Sequence, residues 1–456
     1  MKRFIILGAG ISGLSLAWFL KQRFSNNVSI AILEKDECPG GWVKTTKQDG
    51  FLFEEGPRSC RSKGAGGETL RLIEQLGLQD QVILAGRAAR YRYLWMDKKL
   101  CQLPTGLLSL FTSPFLKDIV TALVRDLTAG PSQQEDESIY NFVARRFNSN
   151  IAEKLLDPLT KGIYAGDIHQ LSIKSCFPIL HQWEQAHGSV LKGAFKKKKK
   201  NSGPFSPFVQ EFQKSSLFSL KSGMEALIRE LAGRLEDNLL LSSEVASCRF
   251  LPKGVEVDLV DGTTLEADHV FSTIPACGLS PLFAPIHQEL SELLVSVPSV
   301  STTVVNLGYH KTVLEKQGFG YLVPSKEKED ILGVVWNSSI FPQQNRNPEE
   351  TRLTVMMGSA HMPNFDTLHE QEFATIALEA LSRHLNIDTQ PDTISVKIAK
   401  SAIPQYLVGH AEKVAAMERT ISMAFPCLTL SGNSFYGVSV NDCIVRSKQI
   451  VESANL

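Results

Sequence analysis

Gly8, Gly10 and Gly13 stand in a G-x-G-x-x-G spacing, which suits one task, the holding of a diphosphate. The first glycine permits a tight turn, the second lets the backbone approach the phosphates, and the third lets helix and strand pack closely. Ile11 and Ser12 open the helix whose free N–H groups and positive dipole end would face the anion. Glu34 follows about 20 residues later, where an acid binds a ribose hydroxyl pair and repels the 2′-phosphate of NADP. Next come Gly40, Gly41 and Trp42, then Gly56-Pro57-Arg58, which bring backbone close to a second part of the ligand. A nicotinamide dehydrogenase has no need of that second glycine site, so the spacings point to FAD. Near the far end, Gly432 and the stretch Gly437-Val438-Ser439-Val440 begin another helix. Its N–H groups are expected at the flavin pyrimidine edge, with its dipole stabilising the negative charge of reduced flavin.

These residues need elements to carry them. Phe4–Leu7 reads as a buried strand, Leu14–Leu20 as the following helix, Val28–Leu33 as a second strand ending at Glu34, and Leu428–Ser431 as a late strand ahead of Gly432. The pattern predicts an α/β fold with a Rossmann-type dinucleotide domain built from three chain segments, 1–85, 206–285 and 406–456. Between them lie a hairpin at 86–102, a helical insertion at 103–205 and a β-rich insertion at 286–405. In the hairpin, Asp97-Lys98-Lys99 reads as the turn. Helices are expected over Leu107–Leu116, Lys117–Leu127, Ile139–Phe147, Ile151–Leu159, Gly223–Leu235 and Glu370–Leu385. Strands are expected at Ser242–Arg249, Val255–Val260, Thr264–Ala267, Thr302–Leu307, Gly320–Pro324, Leu332–Trp336 and Arg352–Gly358.

The chain has 456 residues, with 48 basic and 48 acidic side chains, a balance that excludes nucleic acid as a partner. Eight cysteines without a C-x-x-C pair argue against a zinc site or a disulfide framework, and no metal-ligand spacing is found among the ten histidines. No stretch reaches the roughly 18 apolar residues of a membrane span. A strand opening at Phe4 is expected to leave no room for a signal peptide.

Several longer strings are more specific. They are Gly41-Trp42 with Phe53-Glu54-Glu55-Gly56-Pro57-Arg58, Arg92-Tyr93-Leu94 with Leu103-Pro104-Thr105-Gly106, and Val304-Val305-Asn306-Leu307. Further on are Gly318–Pro324, Ile403-Pro404-Gln405-Tyr406 with Gly409-His410, and Gly437–Cys443. In this order the chain resembles the oxygen-dependent protoporphyrinogen oxidases, within the superfamily of amine oxidases and phytoene desaturases. The resemblance implies FAD as cofactor and a six-electron oxidation of a porphyrinogen for haem biosynthesis, by hydride transfer from a methylene bridge to flavin N5. Dioxygen would take the electrons, giving hydrogen peroxide. It implies that Arg92 clamps a propionate, that Phe319, Gly320, Leu322 and Met356 line the ring slot, and that Lys35 and Val245 join the cofactor contacts. A glycine at 320 suits close approach of a ring. No side chain is assigned a catalytic role.

By the same resemblance the 103–205 insertion is a membrane-binding helical domain. Leu107–Leu116 would dip into one leaflet and the run Lys196–Lys200 would add about 1 kcal/mol of attraction per lysine. This places the protein in the cytoplasm, peripherally on a membrane, with hand-over of product to ferrochelatase and a homodimer as further expectations. Coproporphyrinogen oxidation is the nearest rival, although four propionates call for cations beyond Arg92. An amine oxidase or carotenoid desaturase, and a non-catalytic binding protein resembling Rab GDP-dissociation inhibitor, stand further off.

Overall fold

Phe4 to Leu7 are all buried, because the strand they form is covered on both faces. The computed structural model describes residues 1–111, 113–196 and 205–454. Its first stretch holds β1 (Lys2–Leu7), α1 (Ile11–Phe24), β2 (Val28–Leu33), β3 (Arg92–Met96) and β4 (Lys99–Gln102). The helical stretch that follows includes α2 (Leu116–Thr128) and α3 (Asp157–Tyr164). Then come β5 (Leu239–Leu240), β6 (His269–Ser272), β7 (Ser299–Tyr309), β8 (Gly320–Leu322), β9 (Gly333–Trp336) and β10 (Thr351–Gly358). The last part carries α4 (Glu370–Leu385), β11 (Thr393–Pro404), β12 (Leu428–Leu430) and α5 (Val440–Ser453).

A five-stranded parallel sheet runs in the order β5-β2-β1-β6-β12. Its strands come from three distant parts of the chain. Phe4 and Ile6 point into a core shared with α1 and α5, and Ile5 and Leu7 into the core on the other face.

A seven-stranded sheet runs in the order β11-β7-β10-β9-β8-β3-β4. One face is dry: Tyr93, Trp95, Tyr321, Val334, Trp336 and Val355 pack under Phe373, Ala377 and Leu381 of α4. Strand alternation puts Arg92, Gly320, Leu322, Gly333 and Met356 on the opposite face. The β3–β4 turn is two residues long, with Asp97 and Lys98 both at positive φ. Lys99 therefore belongs to β4, as hairpin twist demands of a type I′ turn.

The helical part is organised around a buried charge cluster. Arg146, fully buried, meets Asp126 of α2 at 2.9 Å and Glu184 at 2.6 Å. The helix expected over Leu107–Leu116 stops at Phe111, and Phe115 is 1% exposed in a core with Leu94 and Met96. Phe115 therefore cannot dip into a leaflet. The exposed apolar stripe lies on α2 instead: Val120, Leu123, Val124 and Leu127, at i, i+3, i+4 and i+7, are 41–59% exposed. Thr112, the side chains of Leu107 and Leu108, and Lys197–Lys200 lie outside the described residues. Between Ile151 and Leu159 the backbone passes through a π turn at Ala152–Leu156 before α3 carries the helix on to Tyr164.

Candidate functional site

β1 delivers the chain to Gly8 at φ +95°. A Cβ on Gly13 would lie 1.9 Å from the Gly8 carbonyl oxygen, so only glycine lets α1 begin so close to the strand end. Gly10 differs. Its φ of −71° and ψ of 179° are ordinary extended values, and a Cβ there would meet no protein atom within 4 Å. That open space lies at the N-terminus of α1, which has no side-chain cap and no acidic residue in its first turn. Ile11 and Ser12 are buried at this start, and uncapped N–H groups with a free dipole end are complementary to a diphosphate.

Glu34 directly follows β2, with Oε2 accepting the Ala9 N–H at 2.8 Å and Oε1 accepting the Asp36 N–H at 3.1 Å. The carboxylate is thereby fixed beside the glycine turn, with lone pairs left for hydroxyl donors. Lys35 is exposed next to it. Val245 lies two residues beyond Ser243, whose N–H donates to the Glu34 carbonyl at 2.7 Å. The two glycine sites are joined directly: the Gly40 N–H donates to the Ala9 carbonyl at 2.9 Å, and Gly41 sits at φ +55°, where an added Cβ would lie 3.7 Å from the Gly10 Cα. Trp42 is 40% exposed, and a Cβ on Gly56 would clash at 2.0 Å with the Trp42 carbonyl oxygen.

Pro57 leads to Arg58, whose Nη1 approaches the Met356 Sδ at 3.6 Å. Burial lowers the Arg58 pKa to about 10 and raises that of nearby Glu54 to about 7. Arg58–Met356 ties the cofactor side to the open face of the seven-stranded sheet.

At the other end, Gly432 adopts φ +98° and Gly437 φ +129°. Two aromatic side chains hold the loop between them. The Tyr406 hydroxyl accepts from the Gly437 N–H at 2.8 Å and donates to the Asn433 carbonyl. The His410 ring stacks on Tyr406 with centroids 4.0 Å apart, and its Nε2 faces the Phe435 carbonyl at 3.2 Å. Burial lowers the His410 pKa to about 4, so the imidazole is neutral at pH 7 and Nε2 carries the proton toward that carbonyl. Read from sequence, Tyr406 and His410 carried no role. An aromatic followed four residues later by a His that Gly precedes, Tyr406 and Gly409-His410, is the signal that could have found them.

α5 opens on a capping box. Ser439 caps it, accepting from the Asp442 N–H at 3.2 Å, while Asp442 accepts from the Ser439 hydroxyl at 2.6 Å and N–H at 3.3 Å. This capping box satisfies the Ser439 and Asp442 N–H groups, while among the described residues the Val440 and Asn441 N–H groups at the helix start have no protein acceptor. Val438 and Val440 flank this cap, and α5 packs along α1 with the Ser447 hydroxyl donating to the Ser12 carbonyl at 2.9 Å.

On the open sheet face, Arg92 is level with Gly320 in β8 and its guanidinium lies over the Phe319 ring, 5.1 Å from the centroid. Arg92 is exposed and, among the described residues, makes no ion pair. Phe319 and Met356 share an apolar cluster with Val335, Ile340 and Phe341. Leu322 belongs to the next cluster, with Leu94, Met96 and Phe115, and it meets α3 at Gly162. Gly320 has a different reason from the one read in sequence. At φ +122° its Cβ would strike the Val334 carbonyl oxygen at 2.0 Å, so the glycine answers the backbone of its own sheet rather than a ring.

The residues present fit FAD: an open cradle at Gly10, an uncapped helix start, a fixed acid and a second glycine loop are held together by direct bonds. Among the described residues no cluster of His, Cys, Asp and Glu suits a metal ion.

Residues 11–452 match the family model described as flavin containing amine oxidoreductase. The chain is 36% identical to protoporphyrinogen oxidase of Homo sapiens over 98% of this chain and 97% of that protein. It is 29% identical to coproporphyrinogen III oxidase of Bacillus subtilis, over 99% and 98%. In fold it is similar to a crystal structure from Exiguobacterium, provisionally assigned as a protoporphyrinogen oxidase, with a TM-score of 0.83 at 23% identity over 99% and 98% of the two chains.

Proposed function

From a chain that belongs to the flavin containing amine oxidoreductase family, with protoporphyrinogen oxidases among its relatives, we infer an enzyme that oxidises protoporphyrinogen IX to protoporphyrin IX. The observation that carries this reading is the open sheet face. There Arg92, an arginine without an ion pair among the described residues, shares a face with Gly320, Leu322 and Met356, and Met356 touches Arg58 of the cofactor segment. A flat apolar macrocycle with carboxylates at one edge matches an apolar wall with one guanidinium at its border.

FAD, when bound, supplies the two-electron acceptor that dioxygen restores as hydrogen peroxide. The chain's own part is binding and orientation. Arg92 holds a propionate, Phe319 keeps the guanidinium flat, and Leu322 and Met356 exclude water from the ring. The row Arg92, Gly320, Leu322, Gly333 and Met356 contains neither a general acid nor a general base, so no side chain on it is asked to move a proton.

The test is aerobic turnover of protoporphyrinogen IX by the FAD-loaded protein, followed by porphyrin fluorescence. A yellow protein that leaves the substrate unoxidised above the spontaneous rate overturns the reading.

Contact with a membrane surface belongs to the same proposal, with α2 rather than the segment before it as the docking element. Its four exposed apolar residues lie on one helical face; Phe111, just before it in sequence, is 71% exposed, and Phe195, at the end of the helix Val190–Phe195 that packs against α2, is 91% exposed. Flotation with anionic liposomes should carry the wild-type chain upward and leave V124E/L127E at the bottom. Equal flotation of the two would remove α2 from the contact.

A further inference from the structure

A small antiparallel sheet sets Leu217–Leu220 between Cys60–Arg61 and Val82–Leu84. Cys60, Phe218, Leu220 and Val82 lie on one side of it, buried in the core shared with α1. Strand alternation turns Arg61, Leu217, Ser219 and Ile83 to the other side. That side meets the open face of the seven-stranded sheet. Ile83 and Ala85 share one apolar cluster with Phe319, Val335 and Met356, and the Gly86 N–H donates to the Ile340 carbonyl at 2.8 Å. The Ser219 hydroxyl donates to the Arg58 carbonyl at 2.9 Å. Arg61 pairs with Leu217, and the Leu217 carbonyl accepts the Ala85 N–H at 3.2 Å, so Arg61, Leu217 and Ala85 share a rung. Arg61 therefore borders the same cluster as Arg92, from the other sheet.

The backbone that carries Arg61 is fixed. Its carbonyl accepts from the Asn441 Nδ2 at 2.9 Å, and Asn441 in turn accepts from the Thr69 hydroxyl at 2.7 Å. The Arg61 side chain is exposed and, among the described residues, has neither a hydrogen-bond acceptor nor an ion-pair partner. The two guanidiniums lie within electrostatic reach of each other: withdrawal from water lowers the Arg92 pKa, and the charge of Arg61 lowers it further. A border lined by two cations of this kind attracts a ligand with two carboxylates, which would relieve their mutual repulsion.

We propose that Arg61 is a second carboxylate-binding residue of the slot, and that Arg61 and Arg92 together hold the two propionates that protoporphyrinogen IX carries on adjacent pyrrole rings. The inference rests on the porphyrinogen reading above. One clamp leaves a flat macrocycle free to turn in its own plane about the bound carboxylate. Two clamps on separate sheets remove that rotation, and so decide which methylene bridge is presented toward the cofactor segment at Arg58.

The experiment compares FAD-loaded wild type, R61A, R61Q and R61K, with FAD content and Tm measured alongside. Turnover of protoporphyrinogen IX is read by product fluorescence, and equilibrium binding of protoporphyrin IX and of its dimethyl ester by porphyrin absorbance. R61A and R61Q should lower kcat/KM about tenfold or more, chiefly through KM, and weaken binding of the diacid by a similar factor, with part of both restored in R61K. Binding of the dimethyl ester, which offers no carboxylate, should change less than about twofold in either variant, whereas a purely structural loss would weaken both ligands alike. The inference is overturned if R61A binds and oxidises the diacid within about twofold of wild type, if diacid and ester lose equally, or if R61A and R61Q both lose FAD or melt early. Any of these results with an active wild type leaves the proposed function standing. A wild type that does not turn over the porphyrinogen overturns both.

Discussion

Replacing Gly10 and Gly13 one at a time with alanine separates what the glycine turn does for the protein from what it does for the cofactor. At Gly13 the new Cβ would sit 1.9 Å from a backbone oxygen, well inside contact distance. The start of α1 must then move by more than about 1 Å, against a helix packed along α5, at a cost of about 1–3 kcal/mol or more. At Gly10 the backbone is already extended and no protein atom lies within 4 Å of the new methyl. G10A should therefore leave the apoprotein as stable as wild type or up to about 1 kcal/mol more stable, through loss of unfolded-state freedom. Its methyl would occupy the space in front of α1. Displacing two charge-assisted hydrogen bonds of about 1.5–3 kcal/mol each weakens FAD binding by roughly 10²- to 10⁴-fold. The assay is thermal melting of both apoproteins together with FAD titration by flavin fluorescence. Wild-type FAD affinity in G10A would refute a diphosphate at this turn, and an unchanged melting point in G13A would refute the packing argument.

Three further outcomes follow from the geometry. R92A should raise KM for the porphyrinogen roughly 10- to 150-fold, as removal of one charge-assisted bond of about 1.5–3 kcal/mol implies, and R92K should recover part of it; steady-state kinetics decide. Glu54 has a folded pKa of about 7 against 4.5 in the reference state, because burial disfavours its charge. The stability this confers is complete below pH 4.5 and is lost as pH rises through about 7, a contribution of about 3 kcal/mol that urea titrations of wild type and E54Q at pH 5 and pH 8 would read as a smaller pH difference in the variant. Y406F leaves the Gly437 N–H and the Asn433 carbonyl without their shared partner, at about 1–3 kcal/mol for each group left unsatisfied, so it should loosen FAD and shift the flavin absorption bands; an unaltered spectrum and affinity would free Tyr406 of any positioning role.

The glycine turns and the strands around them were legible in the sequence because each depends on local spacing, whereas the residues of the open sheet face were named only through the family resemblance. Fold-level errors came where tertiary packing decides. Phe115 reads as one more residue of an apolar run, and only contact with Leu94 and Met96 makes it core. The stripe on α2 has a helical period that serves a core or an exposed face equally well, and nothing local separates the two. Ser439-Val440-Asn441-Asp442 is readable in sequence as a capping box, which the structure forms at the start of α5.

The parallel sheet has a consequence for how the molecule comes into being. β1 pairs with β6 across more than two hundred and fifty residues, and β12 joins only at Leu428–Leu430. Pairings of that sequence separation close late, because loop entropy opposes them until neighbouring structure is in place. During synthesis the glycine turn must wait, with β1 and β2 each lacking one neighbouring strand, until β5 and β6 are available, and β6 keeps an open edge until β12 follows. Flavin capture is then a late event. A chain arrested before residue 428 would expose a hydrophobic strand edge, and cofactor supply at that moment would decide between a native protein and an aggregate.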